Sequence, residues 1–150
     1  MDITDGVTNT DRGNGDLPFV DEHAIAIAAS RDVVWSALER YVGTSLRVGD
    51  GLLARILGTQ PAAGFEVSGC RPADRLILIG RHRFSRYMLA FDLADATDGI
   101  TRLSAKTYAS FPGVHGRIYR ALVIGTGAHA VATDRIVRSI QRLAIASTAR

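Results

Sequence analysis

Cysteine, lysine and tryptophan occur once each in this chain, and no apolar run is long. Cys70 alone cannot close an internal disulfide and has no second thiol to complete a zinc site, so neither a disulfide framework nor a thiolate metal centre is expected. Its expected place is a half-buried strand position. Crossing a bilayer takes about 18 consecutive apolar residues. The longest candidate, Ala121 to Ala132, is interrupted by Gly125, Thr126, Gly127 and His129, which argues against a membrane span. Met1 to Asp16 is rich in Asp, Thr, Asn and Gly and has neither a basic start nor an apolar stretch, so it does not read as a secretory signal and a cytoplasmic location is expected. No glycine stretch, "IGTGAH" included, has the strand-turn-helix context of a phosphate-binding loop or dinucleotide fingerprint, and no cofactor is expected.

Lysine is nearly replaced by arginine: Lys106 is the one lysine among 18 basic residues. The net charge of +3 hides a division along the chain, because Met1 to Glu22 carries six acidic residues against Arg12, while Gly113 to Arg150 carries six arginines against Asp134. Such basicity attracts anionic partners. The arginines are scattered, however, and no nucleic-acid motif accompanies them, so nucleic acid is not an expected partner.

What is present is enough for one core. The chain has 150 residues and is 47% apolar, the range of a single domain. Residues 1–17 have nothing to bury and are expected to form a disordered polar leader. From Asp21 to Ala29 the sequence alternates, with His23, Ile25 and Ile27 on one side and Glu22, Ala24 and Ala26 on the other, the period of a strand. Ser30 then offers an N-cap and Asp32 a first-turn charge, and Val34, Ala37, Leu38 and Tyr41 recur at helical spacing up to Gly43, where the helix should stop. Leu52 to Leu57 suggests a short second helix, with a strand as the alternative.

Between Gly64 and Phe111 four alternating runs are separated by turn residues, which predicts an antiparallel meander. Phe65, Val67 and Gly69 share one face; Leu76, Leu78, Gly80 and His82 oppose Ile77, Ile79 and Arg81; Tyr87, Leu89, Phe91 and Leu93 oppose Arg86, Met88, Ala90 and Asp92; Leu103, Ala105, Thr107, Ala109 and Phe111 oppose Arg102, Ser104, Lys106, Tyr108 and Ser110. Turns fall at Arg71 to Asp74 and at Asp95 to Gly99. After Pro112 and Gly113, Ile118, Leu122, Gly125, His129, Ala132, Ile136, Ile140 and Leu143 fall at steps of three and four, which predicts one helix of about 30 residues with Arg135, Arg138 and Arg142 on a solvated side. A helix of that length spans roughly 45 Å and would cross the whole sheet.

The segments "VDEHAIAIAASRDVVWSALERYV", with Trp35 one turn into the first helix, "GFEVSGCRPADRLILIGRHRFSRYMLAFDL" and "TRLSAKTYASFPGVHGRIYRALVIGTGAH" resemble the START-like, or SRPBCC, superfamily over residues 18–145. The likeness is similar to a group of bacterial members related to polyketide cyclases and dehydrases. It implies an α+β helix-grip fold: an antiparallel sheet of five to seven strands curled around a long C-terminal helix, with two short helices after the first strand and a hydrophobic cavity between sheet and helix. Residues 18–150 would form this ligand-binding domain. The chain departs from the pattern between Gly43 and Gly64, which is too short for the two strands usually found there.

The dry sheet face mixes large and small residues, and the facing helix contributes Gly125 and Ala132, which leaves room for an apolar ligand. The expected ligand-binding residues are Trp35, Phe65, Val67, Leu78, His82, Phe84, Tyr87, Leu89, Phe91, Thr107, Phe111, Tyr119, Leu122, Gly125 and His129. Dense packing by bulky neighbours is the competing reading. His82 and His129 are the candidate catalytic residues, because an imidazole moves protons near neutral pH and a cyclization needs a base and an acid. No carboxylate at readable spacing supports either, Asp92 falls on the opposite face, and no third ligand makes them a metal site. Arg81, Arg83 and Arg86, and Arg117, Tyr119 and Arg120, hold a ligand anion at the pocket mouth or simply face solvent. Three functions compete: a binder or transporter of a small hydrophobic molecule, lipid or polyketide-like; a cyclase or dehydratase using pocket histidines; and a protein-interaction domain using the basic helix face.

Overall fold

The computed structural model describes residues 17–46, 65–82 and 85–149. The leader up to residue 16, the Leu52 to Leu57 segment, Arg83 and Phe84 lie outside the described residues. Five strands, β1 Phe19–Ile27, β2 Glu66–Arg71, β3 Arg75–His82, β4 Ser85–Thr97 and β5 Ile100–Ser110, form one antiparallel sheet in the order β1-β5-β4-β3-β2. The meander from β2 to β5 follows from short polar turns, and β1 returns to pair with β5 at the far edge. The last hairpin closes later than the sequence suggests: β4 runs to Thr97, which pairs with Ile100, and Gly99 takes φ +72° in a loop where an L side chain would be strained.

The alternation predicted for β3, β4 and β5 holds in the register. Leu76, Leu78 and Gly80 lie opposite Phe91, Leu89 and Tyr87, which lie in turn opposite Ala105, Thr107 and Ala109. This is the concave face. The expected common face of Phe65, Val67 and Gly69 does not hold, because a register shift between Val67 and Gly69 pairs Val67 with Leu78 but Gly69 with Ile77. A bulge swaps the faces. Cys70 on this edge strand is exposed, not half-buried.

Helix α1, Arg31–Tyr41, starts where expected, but its Ser30 cap makes no side-chain hydrogen bond; the Ser30 carbonyl accepts from Val34 N at 3.0 Å instead. Nor does Gly43 end the helical path. Residues Val42–Leu46 continue it as a π-helical turn, with Thr44 Oγ1 donating to the Arg40 carbonyl at 2.8 Å.

The single C-terminal helix is instead two, α2 Gly113–Val123 and α3 Ala128–Thr148. Glycine is the physical reason. Gly125 packs so tightly on the Ala121 carbonyl that a Cβ would collide with it, and Gly127 takes φ +74° as the residue that starts α3. The apolar stripe therefore splits. Val114, Ile118 and Leu122 face solvent at 70%, 57% and 63% exposure, whereas Val137, Ile140 and Ala144 of α3 are buried.

At 21 residues, α3 lies over β1 and against α1, and that contact closes the core. Ile27, Val34, Leu38, Leu78, Phe91, Leu103 and Ile140 are all essentially inaccessible. Each such side chain stabilises by about 1.5–3 kcal/mol relative to exposure. The opposite face is a charged ladder: Lys106 Nζ donates to Asp92 at 3.0 Å, Arg102 lies near Glu22, and Arg75 Nε sits 2.9 Å from Asp92 at an angle that makes the attraction ionic and not a hydrogen bond. The expected placement of Asp92 away from the core is thus observed.

Candidate functional site

The concave face has two halves with different contents. In one, under α1 and the middle of α3, Trp35, Leu78, Leu89 and Phe91 belong to the packed core, between 0% and 7% exposed. These four expected ligand contacts are occupied by protein neighbours, so dense packing wins in that half.

The other half, toward the end of β4 where the chain enters it, is aromatic and only half-buried. Tyr87 stands opposite Gly80, and its ring lies across that glycine so closely that any Cβ there would fall inside it. Phe65 meets Tyr87 edge-on with centroids 5.1 Å apart, and Phe111 meets Tyr119 at 6.1 Å. Such pairs contribute beyond their buried area. Burial raises the Tyr87 phenol above its ordinary range, with Tyr119 adding to the effect, and burial raises the Tyr119 phenol too. Both hydroxyls stay protonated donors throughout the neutral range. Gly116 is what lets α2 carry Tyr119 back toward the strands: a Cβ there would stand 2.7 Å from the Phe111 carbonyl carbon.

Beside this aromatic end lies a polar cluster. Asp21 accepts from His23 Nε2 at 3.3 Å through one carboxylate oxygen and from His129 Nε2 at 3.2 Å through the other. A carboxylate can only accept, so each of these bonds forms with the ring tautomer that carries its proton on Nε2. Thr133 donates to the His129 carbonyl at 3.1 Å, and its oxygen lies 3.4 Å from His129 Nε2. The three charged or chargeable side chains are 22–26% exposed, neither core nor open surface. Next to Asp21 in the register is Thr107, 5% exposed, whose hydroxyl has no hydrogen-bond partner.

His129 is therefore placed inward as expected, and the absence of a supporting carboxylate is corrected by Asp21. The signal was in the sequence: Asp21 and His23 share strand parity with Ile25 and Ile27, and only the partner across from them, 108 residues later, was out of reach. His82 ends β3 opposite Ser85, on the parity of Leu78 and Gly80; its side chain lies outside the described part. Val67, on the edge strand, is 41% exposed. Leu122 and Gly125 do not line the interior: both are exposed, and Gly125 borders an outer depression of about 320 Å³ with Arg117, Arg120, Ala121 and Ile124. Among the described residues no group of three or more His, Cys, Asp or Glu is arranged to hold a metal ion, and no helix is long and apolar enough to cross a membrane.

No protein-family model matches the chain, and no curated protein does. Solved structures do. A conserved protein of Geobacillus kaustophilus superposes with a TM-score of 0.57 at 20% identity, over 84% of this chain and 95% of that one. The di-domain aromatase/cyclase of the steffimycin biosynthetic pathway gives 0.58 at 13% identity over 93% of this chain, which spans 55% of the larger protein. A putative protein of the dynemicin biosynthetic locus gives 0.51 at 18% identity, over 81% of this chain and 45% of that one. At these identities the likeness concerns the fold. The chain shares with them a helix-grip fold, an antiparallel sheet of five described strands with a long C-terminal helix packed against it.

Proposed function

We propose that residues 18–150 form a domain that binds a small, largely apolar molecule, held at the aromatic end of the concave face. The observation that carries this reading is the aromatic set Phe65, Tyr87, Phe111 and Tyr119, all half-buried, of which Phe65 alone packs against the core cluster. Flat apolar walls with a few polar groups suit a small ligand. The aromatase/cyclase among the similar structures supports a ring-containing, polyketide-like molecule as occupant.

The test is a titration of the protein with 1-methylnaphthalene, followed by NMR. Shifts should concentrate on Phe65, Tyr87, Phe111 and Tyr119, and Tyr87→Ala and Phe111→Ala should weaken binding. A protein that takes up none of the probe, or takes it up on the outer face of α2, would refute the reading. A cyclase or dehydratase activity is the second reading, and the contact of Asp21 with His129 favours it: a carboxylate that orients an imidazole is the arrangement a general base needs.

A further inference from the structure

Within that binding reading, on which this inference rests, we infer that Asp21, His23, His129 and Thr107 recognise a weakly acidic hydroxyl, phenolic or enolic, on the ligand. Three observations converge. Thr107 stands between Asp21 and Leu89 in the register and is 5% exposed, and its buried hydroxyl has no partner. A buried hydroxyl left unpaired costs about 1–3 kcal/mol, so a ligand oxygen that accepts from it recovers that cost. The imidazoles and carboxylate beside it are about a quarter exposed, so the cluster is reachable while its deepest member is dry. Two residues along β5 from Thr107, Ala109 stands opposite Tyr87, which puts the aromatic wall next to the polar end.

The charge pattern selects the group. Asp21 is the acid in the cluster, and among the described residues no arginine or lysine pairs with it. A ligand carboxylate would meet that charge without a fixed cation to offset it. An un-ionised hydroxyl meets no such penalty: its proton goes to the carboxylate or an imidazole nitrogen, and its oxygen accepts from Thr107. The ring that bears the hydroxyl then lies toward Tyr87 and its aromatic neighbours.

The test compares three probes of one shape, 1-naphthol, 1-methylnaphthalene and 1-naphthoate, on the wild type, Thr107→Val, Asp21→Asn and Thr107→Ser. Wild type should prefer 1-naphthol over 1-methylnaphthalene by about tenfold, the worth of one to two hydrogen bonds, and bind 1-naphthoate more weakly than either. Thr107→Val and Asp21→Asn should each cut the naphthol preference to about twofold or less, and Thr107→Ser, which keeps the hydroxyl, should retain it. If 1-methylnaphthalene binds and the preference is absent, or survives both substitutions, the hydroxyl assignment is overturned while the binding reading stands. Tightest binding of 1-naphthoate overturns it too, and failure of all three probes to bind removes both.

Discussion

Gly80→Ala is the most informative single change, because its sign should depend on one other residue. A methyl at position 80 falls inside the Tyr87 ring, whose hydroxyl lies 2.6 Å from the would-be Cβ. The ring cannot simply tip away without giving up its edge-on contact with Phe65. Overpacking of this kind typically costs about 1–3 kcal/mol. With Tyr87→Ala in place the space is empty, and alanine in a strand interior is then favoured over glycine by about 0.5–1 kcal/mol. The two values differ in sign, so the coupling between the sites should be about 1.5–4 kcal/mol. In urea, with a slope of about 2 kcal/mol per molar, Gly80→Ala should lower the midpoint by about 0.5–1.5 M in the wild type and raise it by about 0.25–0.5 M in Tyr87→Ala. Equal losses in both backgrounds would show that the ring does not lie over the glycine, and the account of the aromatic end would fail with it.

Other expectations follow from the same contacts. Phe91→Ala, at a position with no exposure, should cost about 3–5 kcal/mol, while Leu122→Ser on the outer face of α2 should change stability by about 0.5 kcal/mol or less; chemical denaturation separates them. Ala73, the one non-glycine residue with positive φ (57°) among the described residues, should be relieved by Ala73→Gly, with a gain of up to about 1 kcal/mol in the same assay. Burial raises the phenols of Tyr41, Tyr87 and Tyr119, so the folded state holds those protons longer than the unfolded chain. Their contribution is present in full below the ordinary tyrosine range near pH 10 and is lost as pH rises through the higher folded values. Denaturation midpoints should therefore fall above about pH 10, and less so in Tyr87→Phe; an unchanged slope in that variant would contradict the burial of its hydroxyl.

The sheet was legible because one of its faces is dry. In β3, β4 and β5 every second residue is apolar, and a slip by one would have turned Leu78, Leu89 and Phe91 toward the ion pairs of Asp92 and Lys106. The bulge after Val67 was not legible, since an edge strand with weak alternation carries no such penalty. The break at 124–127 was hidden for a related reason: Ile118 and Leu122 keep the apolar period although they face solvent, so the spacing reads as one continuous stripe. For the polar cluster, strand parity gave the direction of His23 and helical spacing that of His129, whereas Asp21, at the start of the alternating run, was assigned no face. Their meeting depends on how α3 lies over β1, which is a matter of packing and not of local pattern.

The division of the C-terminal region into two helices separates two kinds of evolutionary constraint. Residues of α3 that hold the core, such as Val137 and Ile140, cannot vary without loss of folding, whereas α2 commits only Gly116 to full burial. Descendants of this chain can therefore exchange the inward side of the shorter helix, Tyr119 first, and acquire a different occupant while the scaffold that carries it stays the same.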